Sequence, residues 1–151
     1  MTRYVVFDLD GTLANNKPRA HWLEGEKKDW KTYNSTMAND TPYDDMFRMW
    51  WAMYRAYYSI VICTGREEAY RDVTETWLRN NIPNGCSYPD KIYMRPEKDY
   101  RSDAIIKSEL LDQMTKELGG NPEFWFDDRN QVVDAIRARG IRVLQVAPGD
   151  F

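Results

Sequence analysis

YVVFDLDGTLAN, residues 4–15, begins as a buried strand and ends in acids. Tyr4 to Phe7 is an unbroken apolar run. Asp8 stops it, Asp10 follows two residues later, and Gly11-Thr12 stand behind them. On an extended chain, residues i and i+2 point the same way. Two carboxylates that close repel each other, and one takes up a proton unless a cation lies between them. An isolated Asp-Gly is often only a solvated turn. Here the strand before it is apolar throughout, and EFWFDD at 123–128 repeats the device. Two apolar strands ending in paired acids predict an oxygen-lined site for a hard cation, Mg²⁺ foremost, with Asp8, Asp10, Asp127 and Asp128 as candidates.

Outward from that stretch, strands and helices alternate. Strands are expected at 3–8, 59–66, 91–94, 123–128 and 141–147. Helices are expected from Thr41-Pro42 onward, at 67–80, at 103–118 and at 130–139. Thr41 reads as an N-cap and Pro42 as the first helical residue. In that helix Met46, Trp50, Met53 and Tyr57 form one apolar stripe, and Phe47, Trp51 and Tyr54 a second. Both flanks should therefore be covered, with the polar insert at about 15–41 folded over the helix. Alternation of this kind predicts an α/β fold: a mostly parallel five-stranded sheet between helices, with a small cap-like insert after the first strand. Ligands of such sheets bind beyond the carboxyl ends of the strands. Asp8, Thr64, Arg95 and Asp127 all fall there.

Composition limits the function classes. The chain has 151 residues, which suits one domain, and 42% hydrophobic with 30% charged residues fits a soluble globular protein. A net charge of −3 argues against a general nucleic-acid coat but leaves room for an enzyme that grips one end with a few local cations. Cys63 and Cys86 lack metal-site or redox-motif spacing, so a reducing, cytoplasmic setting is expected. No secretory leader or membrane-spanning run is visible, and a membrane partner is not expected. His21, the single histidine, has no Ser or Cys partner in view and is expected at the surface.

Three further features gain meaning together. In ICTGR, Thr64 and Gly65 form a turn whose backbone N–H groups could cradle an anionic oxygen, with a helix start behind it and Arg66 directly after. Lys107 lies one turn beyond Asp103, in the column of a helix that carries buried positions. Taken alone, a surface Asp–Lys pair is the better explanation of it. DLDGT at 8–12, CTG at 63–65, Lys107 and DD at 127–128 resemble, in order, the four motifs of the haloacid-dehalogenase (HAD) superfamily. Asp10 points to its phosphatase branch.

A closer resemblance covers nearly the whole chain. FDLDGTLA, TGREE, the run from Arg95 through Arg101-Ser102-Asp103 to Lys107, and DDRNQVVDAIRARGIRVLQVAPGDF resemble the 3′-phosphatase domain of the polynucleotide kinase/phosphatases of T-even bacteriophages. Residues 15–40 and 81–92 match least. No Gly is followed by Lys, so the P-loop of a kinase domain is absent and no 5′-kinase activity is expected.

The resemblance implies roles. Asp8 would be the nucleophile that forms an aspartyl-phosphate. Asp10 would act as general acid and base and lend its main-chain carbonyl to Mg²⁺. Asp128 is the favoured direct metal ligand and Asp127 the group that orients Lys107, with the order of the pair left open. Thr64, Gly65 and Lys107 would hold the phosphoryl oxygens. Arg19, Arg66, Arg95 and Asp103 match positions near the family's substrate. Trp22, Trp30 and Tyr33 could stack on a base, but are expected to cover a neighbouring helix. The implied substrate is a nucleic-acid 3′ end, with a separate kinase or ligase as a possible partner. A phosphatase of free mononucleotides and a non-catalytic end-binding domain are the alternatives.

Overall fold

A computed structural model describes residues 3–151. Five parallel strands form the sheet in the order β5-β4-β1-β6-β7: β1 (Tyr4–Phe7), β4 (Ser59–Glu67), β5 (Lys91–Arg95), β6 (Phe124–Asp127) and β7 (Val143–Gln145). β1 lies in the middle because all four of its residues are apolar and buried. Its alternate side chains feed two cores. Tyr4 and Val6 join Val61, Cys63 and Trp125 beneath α5 (Asp103–Leu118) and α6 (Asn130–Arg137). Val5 and Phe7 join Ile60, Ile62 and Phe126 on the other face, against α3 (Asp44–Arg55) and α4 (Arg71–Asn81). The period of two decides which layer each residue serves. Cys63 is a buried core residue with a free thiol, as its apolar setting suggests. Among the described residues, no helix is long and apolar enough to cross a membrane.

The helix at 103–118 has the bounds its pattern predicts. Ser102 caps it by accepting from the Ile105 N–H, and Gly119 ends it at φ +79°. Three expectations need correction. Thr41 and Pro42 do not open a helix. They form β3 (Thr41–Pro42), antiparallel to β2 (Ala14–Asn15), and close the neck of the insert. A Thr-Pro pair suits an edge strand as well as a helix start, and here the long-range pairing prevails. α3 starts at Asp44, where two acids, Asp44 and Asp45, face the positive end of the helix dipole.

The second correction concerns the cover of α3. Phe47 and Trp50 are buried, but Trp51 is 46% exposed and Tyr57, beyond the helix, is 91% exposed. The insert runs through α1 (Lys17–Ala20), α2 (Trp30–Ser35) and the turn Met37–Asn39. That turn packs on α4, where the Trp77 Nε1–H donates to the Asp40 carbonyl at 2.7 Å. The insert therefore sits above the strand ends rather than over the flank of α3. Third, β4 does not stop at a tight turn. It continues to Glu67 through a bulge between Thr64 and Glu67.

Candidate active site

β1 and β6 are neighbours, with Phe7 opposite Phe126. Their next residues therefore emerge side by side at the carboxyl rim. Asp8, Asp127 and Asp128 offer oxygens that all lie within 4.8 Å of one another. Lys107 reaches them from α5: its Nζ donates to Asp8 Oδ1 at 2.7 Å and to Asp127 Oδ2 at 2.8 Å. It is 1% exposed, so the surface Asp103–Lys107 pair is excluded. Burial works against the ammonium, but Asp127 and Asp8 outweigh it and hold its pKa well above the ordinary value. The Thr12 hydroxyl donates to Asp8 Oδ2 at 3.0 Å.

Three buried acids face one cation. Burial, then repulsion from Asp127, pushes the Asp8 carboxyl well above its usual range. The same two causes raise Asp128. Buried carboxylate oxygens that repel one another at this range are the donor set that a hard divalent ion fits. The two adjacent acids differ in what they have left to offer. Asp127 is fully buried; its Oδ1 accepts from the Arg129 N–H and its Oδ2 from Lys107 and the Trp125 indole. Asp128 lies beneath Gly11. That glycine sits at φ +83°, and a Cβ there would strike the Asp128 carboxylate.

Asp10 faces a second cluster. Arg66 grips it with two donors, Nη2 to Oδ1 at 2.7 Å and Nε to Oδ2 at 3.0 Å. Arg19 adds Nη2 to Oδ1 at 2.8 Å. Burial alone would raise the Asp10 pKa, but Arg66 first and Arg19 second bring it below the usual carboxylate range. Both arginines also bond Asp40, Arg19 at 2.8 Å through Nε and Nη2 and Arg66 at 3.3 Å. Arg19 and Arg66 are thus buried against Asp10 instead of standing free on the rim.

Thr64 is buried and its hydroxyl accepts from the Arg66 N–H at 3.2 Å. The next helical turn begins at Glu68, so Gly65 does not sit at a helix N-terminus as its sequence suggests. Gly65 is needed for another reason, since a Cβ would strike the Asp103 carboxylate. Arg95 is spent on bracing. It donates to the carbonyls of Gly65, Asp99 and Arg101 and to Asp103 Oδ1. Arg129 holds the other oxygen of Asp103 at 3.1 Å. Arg95 and Asp103 therefore tie the β4 bulge to the start of α5.

Sequence reasoning missed Asp40, Arg129 and the role of Thr12. Thr12 lies within DLDGT and that signal was available. Nothing local marks Asp40, whose importance comes from contacts with residues 21 and 26 positions away.

A family model for the polynucleotide kinase PNKP phosphatase domain matches residues 2–151. The chain belongs to the PNKP phosphatase-domain family. A chain of the solved Pnkp1/Rnl/Hen1 complex is 34% identical with a TM-score of 0.78, and one of the Pnkp1/Rnl/Hen1 RNA repair complex is 33% identical with a TM-score of 0.80. Both matches cover all of this chain and 48% and 44% of the solved ones, so it spans about half their length. A HAD-family enzyme of Bacteroides thetaiotaomicron, solved with magnesium and inorganic phosphate, shares the fold at 14% identity and a TM-score of 0.61, over 100% of this chain and 97% of that one. This PNKP-type chain is thus a HAD phosphatase by family and by fold, with its acids clustered at the sheet rim.

Proposed function

We propose that the chain is a Mg²⁺-dependent phosphomonoesterase that removes 3′-phosphates from polynucleotide ends in nucleic-acid repair. The observation that carries the reading is the pairing of two differently treated carboxylates two residues apart. Asp8 lies in the acidic cluster with Lys107, and Asp10 lies between two arginines. A phosphoryl transfer from an alkoxide needs both a nucleophile and a proton source. Family membership and the likeness to chains of the Pnkp1/Rnl/Hen1 RNA repair complex support the polynucleotide substrate and a separate kinase or ligase as partner.

Asp8 attacks phosphorus in line, and the bond to the sugar 3′-oxygen breaks. Asp10 gives that oxygen its proton, then takes one from the water that cleaves the aspartyl-phosphate. Asp10 can hold a proton only when the arginines share their charge elsewhere. The incoming phosphoryl group is the anion that relieves it. Lys107 and Thr64 hold the remaining phosphoryl oxygens. Asp8, Asp128 and the main-chain carbonyl of Asp10 would hold the metal, with Asp127, whose Oδ2 accepts from Lys107 and the Trp125 indole, orienting that lysine. When bound, Mg²⁺ offsets the repulsion between Asp8 and the phosphoryl group. Arg95 and Asp103 position the Gly65 bulge. The described residues would form one phosphatase domain.

The test is a comparison of initial rates on a 3′-phosphorylated oligonucleotide, a mononucleotide 3′-phosphate, a 5′-monophosphate and a 5′-hydroxyl end with ATP. The first should be fastest and the last inert. Equal or better rates on the mononucleotides would defeat the polynucleotide reading.

A further inference from the structure

Trp30 stands open to solvent and does not cover a neighbouring helix, contrary to expectation. Trp30 is 54% exposed and Trp22 is 37% exposed. A hydrogen bond from the Asp29 N–H to the Trp22 carbonyl, 2.7 Å, closes the loop and brings the Trp22 backbone to the residue that precedes Trp30. The edge of Trp30 meets Tyr33, with ring centroids 5.7 Å apart at 83°. The face of Tyr33 carries the Arg19 guanidinium at 4.2 Å, and Arg19 bonds Asp10. The exposed indole is therefore joined to the catalytic carboxylate by an unbroken chain of contacts.

Charge points the same way. Lys17, Lys27, Lys28 and Lys31 are exposed and make no ion pair among the described residues. Asp29 is exposed and caps α2, accepting from the Thr32 N–H and hydroxyl. Glu24 and Glu26 of the same loop are exposed as well, but Lys27, Lys28 and Lys31 are the charges that stand nearest Trp30 in the sequence, with Asp29 engaged as the cap. Stacking faces interleaved with cations are how proteins hold single-stranded nucleic acid without reading its sequence.

We infer that the insert is a platform for the single strand leading to the 3′ terminus, with Trp30, aided by Trp22, stacking on a base and Lys27, Lys28 and Lys31 meeting its phosphates. The inference rests on the polynucleotide reading above and gives it a physical means. A mononucleotide is too short to use the platform.

The experiment measures anisotropy of a labelled single strand of about ten nucleotides on the full chain, independent of turnover. Trp30→Ala should weaken binding roughly tenfold, and Trp30→Phe should recover most of it. Lys27→Gln, Lys28→Gln and Lys31→Gln should each flatten the dependence of log Kd on log salt by about 0.7. The ratio of kcat/KM for the 3′-phosphorylated oligonucleotide over the mononucleotide should fall with binding in Trp30→Ala. Binding and salt slopes untouched by these changes overturn the platform, as does wild-type protein that does not bind the strand. If the strand binds and responds as stated but no 3′-phosphate is removed, the platform stands and the phosphatase reading fails.

Discussion

At the scale of single residues, the site sets three buried carboxylates against one lysine. Asp8 and Asp128 hold their protons more tightly folded than unfolded, because burial and Asp127 oppose their ionisation. The folded chain then binds more protons than the unfolded one once the pH passes the ordinary carboxyl value of 3.8. Their contribution to stability therefore falls as pH rises from that value toward neutrality. EDTA-treated protein should melt higher at about pH 5 than the other carboxyls alone allow, and added Mg²⁺ should raise Tm more at about pH 8 than at about pH 5. Calorimetry on both samples checks the sign, and an equal Mg²⁺ effect at the two pH values contradicts it. Gly11 supplies a second test. Gly11→Ala places a methyl group against Asp128 at a φ of +83°. It should raise the Mg²⁺ concentration for half-maximal activity at least about tenfold, since the proposed ligand Asp128 is displaced. A metal titration reads this directly.

At the scale of elements, the insert and the helix that follows it hold most of what the sequence hid. DLDGT, the paired acids of β6 and the column of α5 are legible because each depends on residues close in sequence and on periods of two or near four. The β2–β3 neck and the Asp40 hub depend on contacts across the chain, which no local pattern carries. Asp40 joins Arg19 and Arg66 and fixes both beside Asp10. Removing its charge leaves two buried guanidiniums sharing one carboxylate. Asp40→Asn should cost about 3 kcal/mol, measured by urea unfolding, and should slow turnover as Arg66 loses its position. Full activity in that variant would mean Asp10 alone orients the arginines. Elsewhere α3 ends at a residue that suits it poorly. Tyr57 takes φ +68°, the left-handed region usually given to glycine. Tyr57→Gly should therefore stabilise the chain by about 1 kcal/mol, seen as a Tm rise of roughly 2–4 °C. A fall in Tm would show that the exposed ring makes a contact that outweighs the strain.

At the scale of the whole molecule, one topological fact gathers the chemistry: β1 and β6 are adjacent, so acids 119 residues apart in sequence meet at one rim. The strand order itself was not readable from the chain, but its consequence was, because both strands are apolar until their last residues and then acidic. The central claim is that Asp8 carries the phosphoryl group in transit. The most direct measurement is an acid quench of the working enzyme on ³²P-labelled 3′-phosphorylated oligonucleotide, followed by mapping of the labelled peptide. The account predicts transient label on the peptide containing Asp8, absent in Asp8→Asn, whose turnover drops at least about 10⁴-fold with its fold retained. Label on another residue, or Asp8→Asn turning over near the wild-type rate, would contradict it.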